Sequence, residues 1–378
     1  MEKEKKRKEK KEKFPKKKII IISSTIIILI IIIFFLVMYI TPKEEPKKEK
    51  KKTKKEPEIL EIVEEKKLTI INQDSNKRPI AVMIDNNIGD GLHAGLQESY
   101  INYEIIVEGG LTRIMAVYKD KDVSLIGPVR SSRHYFLDYA LESDAIYAHY
   151  GWSEYAQNDI RMLGVNNING LYDDLPYWRD NKIAAPHNVF TTIEKLYSYA
   201  QVKNYSTTSN NWNLLNYSVD EINLNLPQVE TNKKHSDETQ TTEQTIPNLL
   251  IANSINIPYS YNQSRSYLYD NISKKYFRSM NGRAHIDKTS MQQLNYKNII
   301  IQKVNNRRLD SYGRQDLDTV GQGQGFYITN GYALPINWTK TERNGKTKYT
   351  YNDGTEIKVN DGNTFIHIVP TSSNITIE

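Results

Sequence analysis

Apolar residues follow two different patterns along the chain, and the first covers residues from Arg78 to about Ala200. Short uninterrupted apolar runs alternate there with amphipathic stretches. The predicted strands are Pro79–Ile84, Arg113–Tyr118, Val123–Ile126 and Ala145–Tyr150, and the predicted helices are Glu154–Leu163 and Thr192–Ala200. Because continuous apolar runs are typical of strands covered on both faces, this part of the chain predicts an α/β sheet.

The second pattern begins at about residue 250 and consists of short strands separated by Asn-Gly and Asp-Gly turns. Its strand-forming stretches are Asn298–Val304, Gly325–Lys340, Thr347–Val359 and Asn363–Pro370. Residues 201–249, between the two patterns, are polar and lack periodicity, which indicates a linker or an insertion. The predicted fold class is mixed α/β, with an N-terminal α/β sheet half at residues 77–200 packed with a β-rich C-terminal half at residues 250–378.

One further apolar stretch, Ile19–Ile40, differs from both patterns because it carries no charge over 22 residues. A helix that rises about 1.5 Å per residue would cross a hydrocarbon core of about 30 Å over that length. The stretch ends without the small-residue cleavage site of a secretory signal peptide. We therefore expect the fold to be preceded by one uncleaved transmembrane helix at residues 19–40, which anchors the chain in the lipid bilayer.

The charge of the chain is concentrated at its N-terminus. Residues 1–18 contain eleven Lys or Arg and four Glu, whereas the whole chain has a formal net charge of +6. The remainder is thus nearly neutral, and the charge gives no evidence for nucleic acid binding. The basic tail predicts a cytoplasmic N-terminus and an extracytoplasmic main domain, although residues 41–58 contain eight further Lys.

The predicted organisation begins with the cytoplasmic tail at residues 1–18 and the anchor at residues 19–40. Residues 41–76 are rich in Lys, Glu and Pro and predict a charged flexible tether that leads to the folded part. The absence of Cys excludes a lipid-modified cysteine, disulfide bonds and thiolate chemistry.

The stretch "LIGPVRSSRHYFLDYAL" (Leu125–Leu141) concentrates polar side chains directly after a predicted strand. Pro128 fits the first turn of a helix, because its missing N–H group needs no partner there. At about 100° per residue, Arg130 and Arg133 fall on the same arc as the apolar residues that face the sheet. We therefore expect both arginines to lie over the carboxyl ends of the strands, where open α/β sheets hold ligands.

Two interpretations of these arginines remain open. In the first, the N–H groups and the dipole of the predicted helix bind an anion together with the polar side chains of the stretch. The candidate residues for this anion site are Arg130, Ser131, Ser132, Arg133 and His134. In the second, the arginines are structural and pair with nearby carboxylates such as Asp85, Glu104 or Glu108.

Three further residues are candidates for the rim of the same site. Asp85 and His149 stand at the ends of predicted strands, and His187 follows a proline; all three could act as acid or base groups. Their spacing matches no metal-binding motif, so no metal ion and no cofactor is predicted. Gly321–Gly325 ("GQGQG") lacks the following Lys of a phosphate-binding loop and predicts a flexible loop, and the chain has no serine hydrolase motif.

Six stretches occur in this order: "RPIAVMIDN", "YEIIVEGGLTRIMAVY", "IGPVRSSRHYFLDYAL", "AIYAHYGWS", "APHNVFT" and "GQGQGFYITNGYALPINWTK". Together they resemble the YerB-like family of bacterial envelope proteins, a two-part domain of unknown function found mainly in Gram-positive bacteria. The resemblance covers about Arg78 to Val369 and implies an extracytoplasmic protein with a mixed α/β N-terminal half and a β-rich C-terminal half. It implies no known reaction. Many members resemble lipoproteins with an acylated cysteine, whereas this chain has no Cys.

Three functions are compatible with these observations. The first is a membrane-anchored binding or accessory protein of the cell envelope, in which Arg130 and Arg133 hold an anionic ligand or a cell-wall partner, such as a polymer or an enzyme. The second is a hydrolase or transferase of phosphorylated cell-wall polymers, with His149 or His187 as acid or base and Asp85 orienting it. The third is a scaffold whose C-terminal half docks a membrane protein. The lack of a recognisable catalytic motif favours a protein without enzymatic activity.

Overall fold

The computed structural model describes residues 31–37, 39, 66–89, 91–212, 214–225 and 248–378. The predicted cytoplasmic tail, most of the predicted tether and most of the predicted transmembrane segment lie outside the described residues. Residues 31–37, which belong to that segment, are helical. None of the helices within the described ranges is long and apolar enough to span a membrane.

From residue 66 onward, the described chain forms mainly strands. It contains three α-helices, α1 (Phe136–Glu142), α2 (Glu154–Met162) and α3 (Ile193–Val202), and a short 3₁₀-helix (Glu108–Gly110). The strands are β1 (Ile80–Asp85), β2 (Ile101–Ile106), β3 (Thr112–Tyr118), β4 (Ile146–His149), β5 (Asn167–Asn169), β6 (Trp178–Arg179), β7 (Val189–Phe190), β8 (Tyr217–Ser218), β9 (Leu250–Ile251), β10 (Ser254–Ser260), β11 (Gln263–Asp270), β12 (Lys275–Met280), β13 (Arg283–Ala284), β14 (Asn295–Tyr296), β15 (Asn298–Val304), β16 (Asn306–Arg308), β17 (Gln315–Leu317), β18 (Gly321–Thr329), β19 (Tyr332–Lys340), β20 (Lys348–Thr350), β21 (Val359–Asn360), β22 (Thr364–Pro370) and β23 (Thr376–Ile377).

An eleven-stranded sheet contains strands from both predicted halves. Its order is β20-β19-β18-β15-β22-β2-β3-β1-β4-β5, and β9 pairs with β19. β22 lies where the halves meet, because it pairs in parallel with β15 on one side and with β2 on the other. The mixed, strand-rich fold agrees with the prediction, but main-chain hydrogen bonds within one sheet join its two halves.

A second sheet of six strands, β13-β12-β11-β10-β23 with β14 paired to β12, comes from the C-terminal half. Two of its arginines are completely buried and bind Glu104 of β2. Arg265 Nε donates to Glu104 Oε1 at 2.6 Å, and Arg278 Nη2 donates to Oε2 at 2.7 Å. Burial by itself raises the pKa of Glu104, but the charges of the two arginines outweigh this effect and lower it to about 2. This buried ion cluster connects the two sheets.

The two longer helices begin at the residues that the sequence indicates. Ser153 Oγ accepts a hydrogen bond from Ala156 N–H at the start of α2, and Thr192 Oγ1 accepts one from Lys195 N–H at the start of α3. The buried residues of α3 recur at helical spacing and are Ile193, Leu196 and Ala200. Both helices therefore form as predicted, with one apolar face on the core.

The predicted tether covers residues 41–76, but its last residues already belong to the folded part. Ile71 is buried in the core, and the backbone N–H and the hydroxyl of Thr69 both donate to Asp361 Oδ2 at 2.8 Å. These contacts join positions almost three hundred residues apart, so the local composition of the segment could not indicate them.

The predicted linker at residues 201–249 is also partly folded. The backbone N–H of Arg78 donates to the Thr207 carbonyl at 2.8 Å, and Leu224 is completely buried. Residues 226–247 of the linker lie outside the described residues. A few long-range contacts thus fix a polar segment that has no periodicity of its own.

Gly321–Gly325, predicted as a flexible loop, instead forms the first half of β18. A Cβ atom on Gly325 would lie 1.9 Å from the carbonyl oxygen of Ile301. Gly325→Ala should therefore lower the free energy of unfolding by about 1–3 kcal/mol, as measured by urea denaturation, because one strand must shift. Gly89→Ala is the control, since the nearest atom there lies 4.0 Å from an added Cβ. Equal losses in both variants would contradict the steric explanation.

Candidate functional site

Three parallel neighbours, β1, β4 and β5, end at one edge of the large sheet. Their last residues are Asp85, His149 and Asn169. The segment after Pro128 runs along this edge, because Arg130 donates its backbone N–H to the Met83 carbonyl at 2.9 Å and accepts the N–H of Tyr150 at 3.0 Å. The carboxyl ends of parallel strands are where open α/β sheets hold ligands, so this edge is the candidate site.

The helix predicted for the start of this segment begins only at Phe136. The N–H groups of Val129 and Ser132 are instead bonded to the carbonyl oxygens of Val189 and Gly151, at 2.7 and 2.9 Å. These long-range bonds hold the segment against the sheet edge and prevent an earlier helix. The prediction that helix N-terminal amides bind the anion is therefore wrong.

Arg133 forms a bidentate ion pair with Glu108. Its Nε donates to Glu108 Oε1 at 2.6 Å, and its Nη2 donates to Oε2 at 2.8 Å. Burial by itself raises the pKa of Glu108, but the hydrogen bond and charge of Arg133 outweigh burial and lower it. The two parallel hydrogen bonds fix the guanidinium group. Arg133 is therefore paired with a carboxylate, as the second interpretation expects.

Asp85 joins Arg130 and His187 at the end of β1. Its Oδ2 atom lies 3.0 Å from Arg130 Nε and 2.6 Å from His187 Nδ1, which places the imidazole proton on Nδ1. The Asp85 side chain is only 3% exposed, whereas those of Arg130 and His187 are 24% and 30% exposed. Within the described part of the chain, neither His187 Nε2 nor the terminal nitrogens of Arg130 have a hydrogen-bond partner. Both side chains can therefore still bind a ligand.

Arg113 completes a cluster of positive charge at this edge. It is the cross-strand partner of Asp85 in the antiparallel pair β1–β3, it is buried, and its Nη1 donates to the Ser131 carbonyl at 2.6 Å. No carboxylate of the described residues forms a salt bridge with it. Burial and the charges of Arg133 and Arg130 lower its pKa to about 10, although the charge of Glu108 opposes this effect. We call Arg113, Arg130 and Arg133 the arginine centre.

Sequence reasoning did not place Arg113 in the site, because Glu108–Arg113 indicates a tight Gly-Gly turn across which Glu108 and Arg113 could pair, whereas Glu108 pairs with Arg133. The signal that could have found it is the tight turn at Glu108–Gly110, which sets the register of β2 and β3. That register, continued to β1, places Arg113 opposite Asp85. Among the residues that the structure describes, no cluster of His, Asp and Glu could hold a metal ion.

The remaining polar residues of the predicted anion site serve other contacts. Ser132 is completely buried, and its hydroxyl accepts a hydrogen bond from the Tyr147 hydroxyl at 2.8 Å. His134 Nε2 lies 3.1 Å from Asp316 Oδ1, on a hairpin of the C-terminal half. Ser131 is partly exposed, and its carbonyl group accepts a hydrogen bond from Arg113 of the arginine centre. Of these three residues, only Ser131 remains a candidate for ligand contact.

His149, predicted for the rim, is completely buried. Its Nδ1 donates to the Gly151 carbonyl at 2.8 Å, and its Nε2 lies 3.3 Å from Asn167 Oδ1. Burial lowers the pKa of His149 to about 4 and so favours the neutral imidazole. The rim prediction is wrong for this residue, because β4 is covered on both faces.

A buried histidine pair lies behind the site. His93 Nε2 donates to the backbone carbonyl of Asp85 at 2.6 Å, and His93 Nδ1 lies 2.7 Å from His285 Nε2. Burial lowers the pKa of His93 to about 4 and that of His285 well below its usual range. The pair therefore stays neutral and supports the backbone at the end of β1.

Comparisons with known proteins agree with this architecture. The N-terminal domain of a family described as protein of unknown function (DUF3048) matches residues 68–206, and its C-terminal domain matches residues 255–366. Putative lipoprotein YerB of Bacillus subtilis (strain 168) is 26% identical over 297 residues, which are 78% of this chain and 82% of that protein. The crystal structure of YerB protein from Bacillus subtilis matches with a TM-score of 0.66 at 25% identity and covers 79% of this chain and 94% of that one. The resemblance inferred from the six stretches is confirmed, and the chain belongs to the DUF3048 family.

Proposed function

We propose that this chain is a membrane-associated protein of the bacterial cell envelope whose folded part lies outside the cytoplasm and binds an anionic ligand. The localisation is supported by YerB, whose name describes a putative lipoprotein. This sequence contains no Cys for lipid attachment, so the uncharged segment at residues 19–40 takes the role of anchor. The basic tail at residues 1–18 then remains in the cytoplasm.

The observation that supports ligand binding is the charge surplus of the arginine centre. Its three arginines face two carboxylates, Asp85 and Glu108, and Arg113 is buried without a carboxylate partner. Isolated buried charge is costly, so an anion at this edge would stabilise the centre. Guanidinium groups form parallel hydrogen bonds with oxyanions, and the terminal nitrogens of Arg130 are the accessible donors. A phosphate group has the matching charge and geometry.

Arg130→Ala should weaken the binding of inorganic phosphate to the full chain in detergent by about tenfold to a hundredfold, the usual effect of losing a charged hydrogen bond. Isothermal titration calorimetry at low ionic strength would measure the affinity. Arg130→Lys should recover only part of this affinity, because lysine keeps the positive charge but lacks the paired N–H donors of the guanidinium group.

The matched control is Arg161→Ala, which removes an exposed arginine on α2 whose Nη2 contacts Asn158. This variant should bind phosphate like the unmodified chain. Unchanged phosphate binding in a folded Arg130→Ala variant, checked by circular dichroism, would refute the proposal.

The pair of Asp85 and His187 favours a phosphoesterase as a second candidate function. With its proton on Nδ1, His187 could accept a proton from water at Nε2 while the water oxygen attacks phosphorus. The phosphorus–oxygen bond to the leaving group would break, and the proton would return to the leaving oxygen. Turnover of bis-p-nitrophenyl phosphate that disappears in His187→Gln would support this candidate, whereas no turnover by the unmodified chain would leave binding as the function.

A further inference from the structure

The turn after β5 exposes three large apolar side chains although its backbone is firmly held. Leu171, Tyr172 and Leu175 are 55%, 70% and 74% exposed. The N–H of Gly170 donates to the His149 carbonyl at 2.9 Å, and Asn169 Oδ1 accepts the N–H groups of Gly151 and Leu171 at 2.9 and 3.2 Å. Exposed apolar side chains on an ordered loop are typical of binding surfaces.

Aromatic contact extends this surface along the sheet edge. The ring of Tyr172 lies 5.6 Å from that of Trp152, centre to centre, and the two planes are inclined by 37°. Trp152 is partly exposed and stands three residues after the end of β4. We call Trp152, Leu171, Tyr172 and Leu175 the aromatic platform.

The aromatic platform and the arginine centre lie at the same edge of the sheet. Asp85 and Arg130 are at the end of β1, Trp152 follows β4, and Tyr172 follows β5. These three strands are parallel neighbours spaced about 5 Å apart, and Asp85 extends beyond the position of β1 that lies opposite His149. Two strand spacings therefore place Tyr172 on the order of 10 Å from the end of β1.

Gly151 makes the two surfaces continuous. A Cβ atom at this position would lie 3.1 Å from Ser131 Oγ and 3.5 Å from Leu171 Cδ1, and its φ of +84° suits glycine. The Ser131 carbonyl in turn binds Arg113 of the arginine centre. Only the missing side chain of glycine leaves room between the serine and the leucine.

We propose that the platform and the arginine centre together bind a phosphorylated glycan, with a sugar ring on Tyr172 and a neighbouring phosphate at Arg130. This inference rests on the proposed anion binding and names the class of ligand. A surface of exposed aromatic and aliphatic side chains fits the C–H face of a sugar ring. A separation on the order of 10 Å between Tyr172 and the end of β1 requires a ligand that extends beyond a single phosphate.

The openness of the edge favours a polymer over a small enclosed ligand. Drug-sized ligands and cofactors bind in deep pockets that cover most of their surface. Two cavities among the described residues lie away from this edge, one lined by residues 66–74, Asp120 and Lys121 and the other beside α3. At the edge itself the side chains of Leu171, Tyr172 and Leu175 are more than half exposed. The exposed platform therefore suits a chain of sugar and phosphate units that lies across it.

The test compares four ligands on the full chain in detergent by isothermal titration calorimetry: inorganic phosphate, glucose, glucose 1-phosphate and adenosine monophosphate. Glucose 1-phosphate should bind about tenfold more tightly than inorganic phosphate, which corresponds to one aromatic contact. Tyr172→Ala should lower the affinity for glucose 1-phosphate to that for inorganic phosphate. Arg130→Ala should weaken the binding of both. Ile272→Ala, which removes another exposed apolar side chain in the turn between β11 and β12, should change neither.

The outcomes separate this inference from the proposed function. Equal affinities for inorganic phosphate and glucose 1-phosphate would overturn the glycan proposal and leave anion binding intact. An unchanged affinity of the Tyr172→Ala variant for glucose 1-phosphate would do the same. Tighter binding of adenosine monophosphate than of glucose 1-phosphate would overturn it in favour of a nucleobase on the platform. Absence of binding by inorganic phosphate and by both phosphate esters would overturn the proposed function as well.

Discussion

A Glu104→Gln variant is expected to lose about 3–5 kcal/mol of unfolding free energy, the usual cost of leaving a buried charge without its partner. The glutamine fills the same space but leaves the charges of Arg265 and Arg278 without a counter-ion, and all three side chains are completely buried. Because Glu104 belongs to the large sheet and both arginines belong to the six-stranded sheet, the loss should be global. Urea denaturation followed by tryptophan fluorescence and by circular dichroism would measure it.

The control is Asp220→Asn, which removes the carboxylate of a fully solvated ion pair with Lys66. Water and salt screen such pairs, so this variant should denature at the same urea concentration as the unmodified chain. If Glu104→Gln denatured there too, the buried ion cluster would not be what holds the two sheets together.

Acidification from pH 7 to pH 4 is expected to remove several kcal/mol of stability, because buried histidines stay neutral in the folded chain. The pKa values of His93 and His149 are lowered from 6.5 to about 4, mainly by burial. The unfolded chain therefore binds more protons between pH 6.5 and 4, so stability is fully present above pH 6.5 and is lost as the pH falls toward 4. Each histidine accounts for about 3 kcal/mol of this loss.

The pKa of Glu104, lowered from 4.5 to about 2, adds a further loss between those two values. Urea midpoints at pH 7, 5.5 and 4 would follow the histidine part of the effect. His149→Gln should make the pH dependence between 7 and 4 shallower, whatever it does to stability at pH 7. A midpoint independent of pH over this range would show that the buried histidines do not control stability.

Local sequence patterns were sufficient for many elements but not for their arrangement. α2 and α3 could be predicted because their capping residues and apolar spacing are local. The position of β22 between β15 and β2 could not, since a buried apolar run fits equally well beside many strands. For this reason the sequence predicted two separate halves, whereas one sheet contains strands of both.

The candidate site shows the same division. The sequence predicted that Arg130, Asp85 and His187 lie at one site, because each stands near the carboxyl end of a predicted strand or in a loop beside it. In the structure Asp85 contacts both other side chains. It misplaced His149, whose burial depends on how β4 is covered. The helix start was wrong because the segment before Phe136 bonds to distant carbonyl groups, which no local propensity reveals.

The central place of β22 sets the order in which the large sheet can form. β22 follows every other strand of the large sheet in the chain, yet β2 and β15 both need it as their neighbour. The edges of β2 and β15 therefore stay open until β22 joins them, and open edges attract other strands. Contacts this far apart in sequence also form slowly. The large sheet is therefore completed only when Thr364–Pro370, the last of its strands in the chain, is in place.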